Sequence, residues 1–451
     1  MIGYKKKSIK AKERKYQKTF GFALGKGDTD KMLVSKSSLN CDCRGGKLKT
    51  GIGFSPYLRN NAAISYKNEN VREIYPVKVL SSDGTSYTEI LLVMDESGYL
   101  SYYDTSTSTF KMKTICGENS HFFGIIGTDK KMTVALATWG RMDLLSESLV
   151  NKSTGLKGTG AACFFKHRLF CGVRPNLLYY SAPNDFSNFN ESIDDGGWVN
   201  LGENYGESVA MCVFKDMLYV FFEYAIVRIR AVGSARDFAP QRLPYSGEKI
   251  FGRTVGVCGN AIFFLAKDGV YRFDGNVAER LETGIRISET YARKKFGCAA
   301  YNGKMCIRYY DEQDVGRTIV IYEDGKSWYF KEEIKGLSQA GARAMGMDGF
   351  LIKYLDDEGA LPIDKSYYFY DCETDFGLSG TKTLTKLRFN GKGMFELTLR
   401  NGLKTFKKIL KLTNGVVEVD FLERGEVFGI DIRLYQGARL DSITAEYRAL
   451  K

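Results

Sequence analysis

The chain has 451 residues, and 65 lysines and arginines against 53 aspartates and glutamates give it a formal charge of +12. Hydrophobic residues make up 44% and charged residues 26%, which is typical of a folded globular protein and excludes a disordered chain. The two histidines, His121 and His167, leave little room for histidine-rich metal sites or for most acid–base chemistry near neutral pH. No cofactor is expected.

The positive charge is concentrated at the two ends of the chain. Residues 1–50 carry 14 basic and 4 acidic residues, residues 380–451 carry 14 and 8, and the long middle is slightly acidic. This distribution does not suit a uniformly basic nucleic-acid-binding surface.

The first residues predict a basic N-terminal arm, residues 1–54, that binds an acidic partner surface or phosphates. Aromatic residues lie among its charges, which suggests that the arm docks on a partner, and a solvated, frayed terminus is the alternative. The candidate partner-binding residues are Tyr4, Lys5, Lys6, Lys7, Lys10, Lys12, Arg14, Lys15, Tyr16 and Lys18.

Neither a secretory signal nor a membrane span is expected from the sequence. The basic start is not followed by an apolar core, and no apolar run reaches about 18 residues. The scattered cysteines lie mostly in apolar, strand-like runs and are typical of a chain made in a reducing cytoplasm.

Residues 55–375 repeat a short apolar strand, a polar turn and a second apolar strand. The turns predicted from this pattern lie at Asp83, Asp129, His167, Asp216, Asn260, Asn302 and Asp348. Asn302-Gly303 and Asp348-Gly349 supply residues that tolerate positive φ in two-residue hairpin turns.

The spacing of these turns predicts a β-propeller. Successive turns are 38 to 49 residues apart, and repeats of this length with about four short strands are typical of propeller blades. We therefore expect an all-β fold with a propeller of six or seven blades, with an irregular β-sandwich as the alternative.

A long polar loop, residues 181–205, is the predicted place for a ligand or a Ca²⁺ ion. Its candidate residues are Asp185, Asp194, Asp195 and Trp198. No catalytic constellation is recognisable elsewhere: neither histidine lies near a nucleophile-elbow pattern, and adjacent carboxylates on a strand point to opposite faces. No catalytic or metal-binding residue is predicted.

Residues 381–451 predict a separate antiparallel β-sandwich. Six strand-like runs follow one another with Asn-Gly or Arg-Gly turns between the first five. Phe395, Leu397 and Leu399 alternate with polar residues, as expected of a strand with one buried face.

The order of motifs in residues 160–290 resembles the β-propeller virion proteins of tailed bacteriophages, including the packaged-DNA-stabilisation and tail-hub type. The matching parts are Leu177–Phe186 with its Tyr-Tyr-Ser strand end, Trp198–Leu201, Val213–Val220, Gly252–Val255 and Asp268–Gly275. The rest of the chain is similar only in architecture.

This resemblance implies a non-enzymatic structural subunit of a virion tail or neck, made in the cytoplasm of a bacterial host. Its expected partners are other tail or neck proteins and further copies of itself in a ring, with packaged DNA as a secondary expectation. Two alternatives stay open: a propeller that binds a host receptor or glycan at the tail tip, and a glycoside hydrolase.

Overall fold

The computed structural model describes residues 13–450 except 26–28, 37, 60, 81–84, 86, 105, 116–120, 129–130, 139–140, 146–150, 158, 174–175, 191–195, 204, 231–236, 341–342, 358, 360–366 and 414. Contacts divide the chain into two compact units. The first comprises the described residues of Met1–Gly53, Trp328–Lys331 and Asp357–Lys451, and the second comprises Phe54–Ser327 and Glu332–Asp356.

The described chain begins with short strands. They are β1 (Glu13–Leu24), β2 (Met32–Ser35), β3 (Cys41–Asp42), β4 (Leu48–Thr50), β5 (Gly53–Pro56), β6 (Leu58–Arg59) and β7 (Ala62–Ala63), with a 3₁₀ turn at Arg44–Gly46.

Within the described residues, seven four-stranded sheets follow. The strands of the first three sheets are β8 (Val71–Leu80), β9 (Tyr87–Asp95), β10 (Tyr99–Asp104) and β11 (Thr109–Ile115); β12 (His121–Thr128), β13 (Lys131–Thr138), β14 (Arg141–Leu145) and β15 (Asn151–Lys157); and β16 (Thr159–Phe165), β17 (Arg168–Val173), β18 (Leu177–Tyr180) and β19 (Gly197–Asn200).

The strands of the next three sheets are β20 (Ser208–Phe214), β21 (Met217–Phe222), β22 (Ile226–Arg230) and β23 (Ala239–Leu243); β24 (Gly256–Cys258), β25 (Ala261–Ala266), β26 (Gly269–Phe273) and β27 (Ala278–Leu281); and β28 (Gly297–Tyr301), β29 (Lys304–Tyr310), β30 (Gly316–Tyr322) and β31 (Trp328–Glu332). A 3₁₀ turn at Gly252–Thr254 and a short helix, α1 (Ala292–Lys295), precede β24 and β28.

The seventh sheet closes the ring. It combines β32 (Lys335–Ala340), β33 (Arg343–Asp348) and β34 (Leu351–Asp356) with β5 as its outermost strand. The first strands of the sheets contact one another in the order β8, β12, β16, β20, β24, β28 and β32, and β32 contacts β8 again. This arrangement confirms the predicted all-β propeller and gives it seven blades.

The second strand of a blade reads as a continuous apolar run because neighbouring blades cover both of its faces. All six residues of β25 are buried. Aromatic side chains fill the space between the fourth and fifth blades, where the Phe221 and Phe264 ring centroids are 5.5 Å apart and those of Tyr219 and Phe273 are 5.4 Å apart. The propeller core therefore lies between sheets.

The turns explain why the repeat was visible in the sequence. Asn302 and Gly303 both have positive φ, of 47° and 69°, between the paired residues Tyr301 and Lys304, as predicted for this hairpin. Lys166-His167 and Lys215-Asp216 adopt the same conformation without glycine.

The hairpin predicted at Asp348-Gly349 is present, but it has a different place in its blade from the other turns. Asp348 pairs with Leu351, so the turn is centred on Gly349 and Phe350 and joins the second and third strands of its blade. The turns at His167, Asp216, Asn260 and Asn302 join first and second strands instead. The equivalent positions near Asp83 and Asp129 lie outside the described residues, as does the segment 341–342 of the seventh blade.

The first unit is completed by the C-terminal strands. They are β35 (Tyr367–Thr374), β36 (Lys382–Asn401), β37 (Lys404–Leu412), β38 (Val416–Gly425), β39 (Phe428–Leu434) and β40 (Arg439–Leu450). With β1 to β4 they form one ten-stranded sheet with the central order β2-β1-β40-β36-β39-β35.

The 20-residue strand β36 bends this sheet into a sandwich. Its first half pairs with β38 and β40, and its second half pairs with β37 and β39. Gly391 and Gly393 lie at the bend with positive φ, and the rings of Phe389 and Phe395 on either side of it are 4.8 Å apart. The predicted alternation is confirmed, because Phe395, Leu397 and Leu399 are buried.

The unit boundaries differ from the predicted division into an arm, a propeller and a separate sandwich. Strand β1 pairs antiparallel with β40 from Glu13 to Phe20, so this part of the N-terminal segment belongs to the same sheet as the C-terminal strands. The sequence shows no link between the two ends because strand pairing over this separation leaves no local pattern.

Candidate functional site

The inner ends of the blades hold a cluster of charges, of which Arg308 is buried and the others are half-buried. It contains Arg253, Arg308 and Lys295 with Glu73, Glu96 and Glu333, and we refer to these six residues as the inner charge cluster. Glu96 follows a second strand, whereas Arg253 and Lys295 belong to connections between blades. In antiparallel blades these segments lie at the same end, so the cluster occupies one face of the propeller.

Arg253 joins parts of the ring that are not neighbours. Its Nη2 lies 2.8 Å from Glu73 Oε1 on the first strand of the first blade, and its Nε donates to the Phe296 carbonyl oxygen at 2.8 Å. Burial lowers the pKa of Arg253 to about 10, although the Glu73 carboxylate opposes this shift. The guanidinium therefore keeps its charge at neutral pH through its fixed partners.

Arg308, on β29, is almost wholly buried and is matched by Glu333. Its Nε donates to Glu333 Oε1 at 2.8 Å, and the Tyr310 hydroxyl donates to the same oxygen at 2.6 Å. Burial alone would raise the pKa of Glu333, but the Arg308 charge and these hydrogen bonds hold the pKa below its usual value.

Glu96 is shared by two cations. Its Oε1 lies 3.4 Å from Arg308 Nη2, and its Oε2 lies 3.6 Å from Lys295 Nζ. The ammonium group of Lys295 also lies over the rings of Tyr291 and Tyr310, with distances of 4.6 Å and 5.2 Å to their centroids. A further cation lies beside the cluster: Arg72 is fully buried, its Nη2 donates to the Glu96 carbonyl oxygen at 2.7 Å, and its charge helps to lower the pKa of Arg253. The carboxylates are therefore surrounded by an excess of positive charge.

A cavity of about 190 Å³ adjoins Arg253 and Glu73. It is lined by first strands of several blades, with Tyr75, Met211, Cys298, Ser338 and Gln339 among its walls. Burial raises the pKa of the Tyr75 hydroxyl to about 12 and that of the Cys298 thiol to about 12. Both groups are therefore protonated at neutral pH, and Cys298 is not an activated nucleophile.

The chemistry of this arrangement favours structure over acid–base work. A glycosidase acid needs a carboxyl group with a raised pKa beside a second free carboxylate. Here Glu73 and Glu333 are each held by an arginine, and the pKa of Glu333 is lowered. Among the described residues, no group of histidine, cysteine and carboxylate side chains is arranged to hold a metal ion.

The predicted basic arm is only partly described. Tyr4, Lys5, Lys6, Lys7, Lys10 and Lys12 lie outside the described residues. Arg14, Lys15, Tyr16 and Lys18 lie on β1. Tyr16 stacks on Tyr447 with ring centroids 5.6 Å apart, and Lys18 Nζ lies 3.4 Å from Asp30. Both side chains therefore make contacts within the first unit.

Arg14 and Lys15 are exposed, and their predicted role in binding a partner stays a prediction. The expectation of a solvated tail does not describe this segment, because from Glu13 onwards it is a paired strand.

The predicted ligand loop is likewise incomplete, since Asp194 and Asp195 lie outside the described residues. Asp185 accepts hydrogen bonds from the Ser187 backbone N–H at 3.2 Å and hydroxyl at 2.8 Å, which is a local turn. Trp198 lies on β19 with 42% of its surface exposed. The described contacts do not join Asp185 and Trp198 in one site.

The inner charge cluster was not predicted from the sequence. Arg253 lies in Gly252–Val255, a segment that the resemblance covers but to which no role was assigned, and Glu333 follows Glu332 in an ordinary pair of adjacent acids. Arg308 lies in the middle of a buried strand whose only other charged residue is Lys304 at its start, and an arginine in such a place is a signal for a buried partner.

Comparisons with known proteins add a likeness of architecture. No protein-family model matches the chain, and no curated protein matches it. Among solved structures, a chain of the mitotic checkpoint complex matches at 9% identity and a TM-score of 0.43, over 69% of this chain and 93% of that chain.

A chain from the structure of BBS1N in complex with ARL6DN matches at 8% identity and a TM-score of 0.43, over 69% and 98% of the two chains. The computationally designed Ika8 protein matches at 11% identity and a TM-score of 0.35, over 65% and 98%. These matches say nothing about function. Among the described residues, no helix is of the length and apolar character needed to span a bilayer.

Proposed function

We propose that the protein is a non-enzymatic structural subunit of a tailed-phage virion, a hub or adaptor of the tail or neck. In this role it docks neighbouring virion proteins and further copies of itself through its N-terminal segment, its propeller faces and its C-terminal sandwich. It is made in the host cytoplasm and ends in the particle, where contact with packaged DNA is a secondary role.

The observation that supports this proposal most directly is the inner charge cluster. Charge pairs such as Arg253–Glu73 and Arg308–Glu96 tie separate blades together at one face, and Arg308 also holds Glu333. A propeller held together by such pairs suits a rigid adaptor, because its loops can differ in sequence while the blades keep their positions. The virion setting itself comes from the resemblance of residues 160–290, whose motifs lie on the third to fifth blades.

Labelled antibodies against the purified chain test this proposal on phage particles. We expect labels at the tail or neck in electron micrographs and the intact chain among the proteins of purified particles. A chain that is expressed during infection but is missing from particles would overturn the proposal.

Binding of a host glycan is the second candidate, and the exposed ring of Trp198 favours it. A glycan array tests this candidate with the native chain and with Trp198→Ala. Saturable binding that the substitution abolishes would favour the receptor role. Binding that Trp198→Ala leaves unchanged, or no binding at all, removes it.

A further inference from the structure

The C-terminal sandwich has one open side formed by β37 and β38. Within the described residues each of these strands pairs only with β36, so both are edge strands. They lie on the same side of β36, one along each half, and meet at the bend. Because β36 folds back on itself, Asn401 at its end donates to the Arg424 carbonyl oxygen of β38 at 2.9 Å.

The two edges therefore run side by side in opposite layers. The rings of Phe406 on β37 and Phe421 on β38 are 5.0 Å apart and close the space between the layers. Strand β37 runs towards the bend and strand β38 runs away from it.

The two edges carry opposite charge. Strand β37 has four lysines and no acid, whereas β38 has Glu418, Asp420 and Glu423 against a single arginine. Lys408 and Lys411 take part in none of the ion pairs of the described residues. The acids of β38 have partners within the chain, Lys386 for Glu418 and Asp420 and Lys404 for Glu423, but the Asp420 side chain is 85% exposed and lies 3.7 Å from its partner. Each edge thus presents charge that its own chain does not fully neutralise.

The open edge of β37 also offers backbone groups. Asn401 and Lys404 flank a two-residue turn and form its hydrogen-bonded pair. Because bonded and non-bonded pairs alternate, Thr405, Lys407, Ile409 and Lys411 direct their N–H and C=O groups to the open side.

Apolar side chains are exposed along the same side. Ile409 on β37 has 54% of its surface exposed, Leu422 on β38 has 81%, and Leu403 in the turn before β37 is fully exposed. Lysines alone would protect an edge strand from association, but exposed leucines and isoleucine beside them indicate a surface that a partner covers.

We propose that this side of the sandwich binds a second copy of the same chain, with the basic β37 edge of each copy beside the acidic β38 edge of the other. Rotating a copy by half a turn about an axis along the strands exchanges its two layers. After this rotation β37 lies antiparallel to β38 of the partner copy. By symmetry, β38 lies antiparallel to β37 of the partner copy, so the contact is made twice.

A second copy fits better than the other arrangements. Turning the copy about the perpendicular axis would bring four lysines of one β37 against four of another, which is repulsive. Nucleic acid would meet Glu418 and Asp420 as well as the lysines, and the acidic edge would repel it. The inference deepens the proposed structural role by identifying one neighbour as the chain itself.

Charge reversal with the full-length chain tests this contact. Sedimentation across a dilution series is expected to show dimers for the native chain. Lys407→Glu with Lys411→Glu, or Glu418→Lys with Asp420→Lys, is expected to weaken dimerisation by roughly tenfold or more. The matched control, Lys67→Glu with Lys326→Glu, makes the same change of charge at exposed lysines of the second unit and should leave the dimer intact.

Complementation makes the test specific. A mixture of the two charge-reversed double variants, or one chain with all four substitutions, is expected to dimerise again because opposite charges face each other once more. Ile409→Pro removes an N–H that points to the open side, so it is expected to prevent dimerisation while far-ultraviolet circular dichroism stays unchanged.

Several outcomes would overturn the inference. The native chain could stay monomeric, both charge-reversed variants could dimerise as strongly as the native chain, or their mixture could fail to restore association. Binding of a DNA duplex through Lys407 and Lys411 in place of dimerisation would also overturn it. A dimer of a chain that is absent from phage particles would reject the virion role alone, and a particle component that never dimerises would reject this contact alone.

Discussion

Arg253 and Glu73 form an ion pair of 2.8 Å between the connection that enters the fifth blade and the first strand of the first blade. The two residues are far apart in the chain and their blades are not neighbours around the ring. Both side chains are mostly buried, so each charge needs the other as its partner once the ring has closed.

Arg253→Met is expected to destabilise the protein by about 3 kcal/mol, because it leaves the Glu73 carboxylate buried without its partner. Urea unfolding followed by tryptophan fluorescence measures the change. Arg253→Met combined with Glu73→Gln should recover part of the loss. Arg286→Met, in the exposed pair with Glu312, should cost less than about 1 kcal/mol, and an equal cost for both arginines would contradict a special role for the pair.

Glu333 is expected to make the free energy of unfolding depend on pH in the acid range. The Arg308 charge holds the pKa of Glu333 below the usual value of a glutamate in the folded protein. The contribution of Glu333 to stability is therefore fully present above the unfolded pKa and is lost as pH falls through the lowered folded pKa. Glu333→Gln is expected to destabilise the protein at pH 7 and to flatten the fall in stability below about pH 4.5.

Urea unfolding at several values of pH measures both the loss of stability at pH 7 and the slope of stability in acid. The exposed Glu279→Gln serves as the control and should run parallel to the native chain. A Glu333→Gln curve that stays parallel to the native curve throughout the acid range would show that Arg308 does not stabilise this carboxylate.

Phe20 is a test of the N-terminal strand. Its side chain is fully buried on β1, and its ring lies 5.8 Å from that of Phe376. Phe20→Ala is expected to cost about 3–5 kcal/mol in the first unit, whereas the exposed Lys15→Ala should have little effect.

Truncation of residues 1–20 is therefore expected to remove part of the core of the first unit together with the basic residues of the N-terminal segment. Hydrogen exchange in β40 checks this point, since loss of the Glu13–Phe20 pairing should expose its amides. Unchanged protection in β40 after the truncation would contradict it.

Substitution of Gly303 measures how much the left-handed backbone of one hairpin turn contributes to stability. A Cβ at this position would meet no atom closer than 4.0 Å, so Gly303→Ala would strain only the backbone, at a φ of 69°. The expected cost is about 1 kcal/mol, and Gly303→Asn should cost less because asparagine tolerates the left-handed region. Thermal unfolding compares the two variants, and an equal cost for both would argue against backbone strain as its cause.

The repeated turns and apolar runs determined the fold class from the sequence alone. Strand periodicity and positive-φ turns are local properties, so Asn302-Gly303 and the alternation at Phe395, Leu397 and Leu399 could be predicted. The hairpin at Asp348-Gly349 joins the second and third strands of its blade, which the sequence did not show because a hairpin signal does not say which strands of a blade it joins.

Only the tertiary structure decided which distant segments meet. The pairing of β1 with β40, the bend of β36 and the addition of β5 to the seventh blade depend on pairing between strands that are remote in sequence. The inner charge cluster depends on the same closure, since Arg253, Arg308 and Glu333 look like ordinary charged residues until burial removes water from around them. Sequence patterns record local backbone preference and one-sided burial, whereas contacts across the ring are set by the packing of the whole chain.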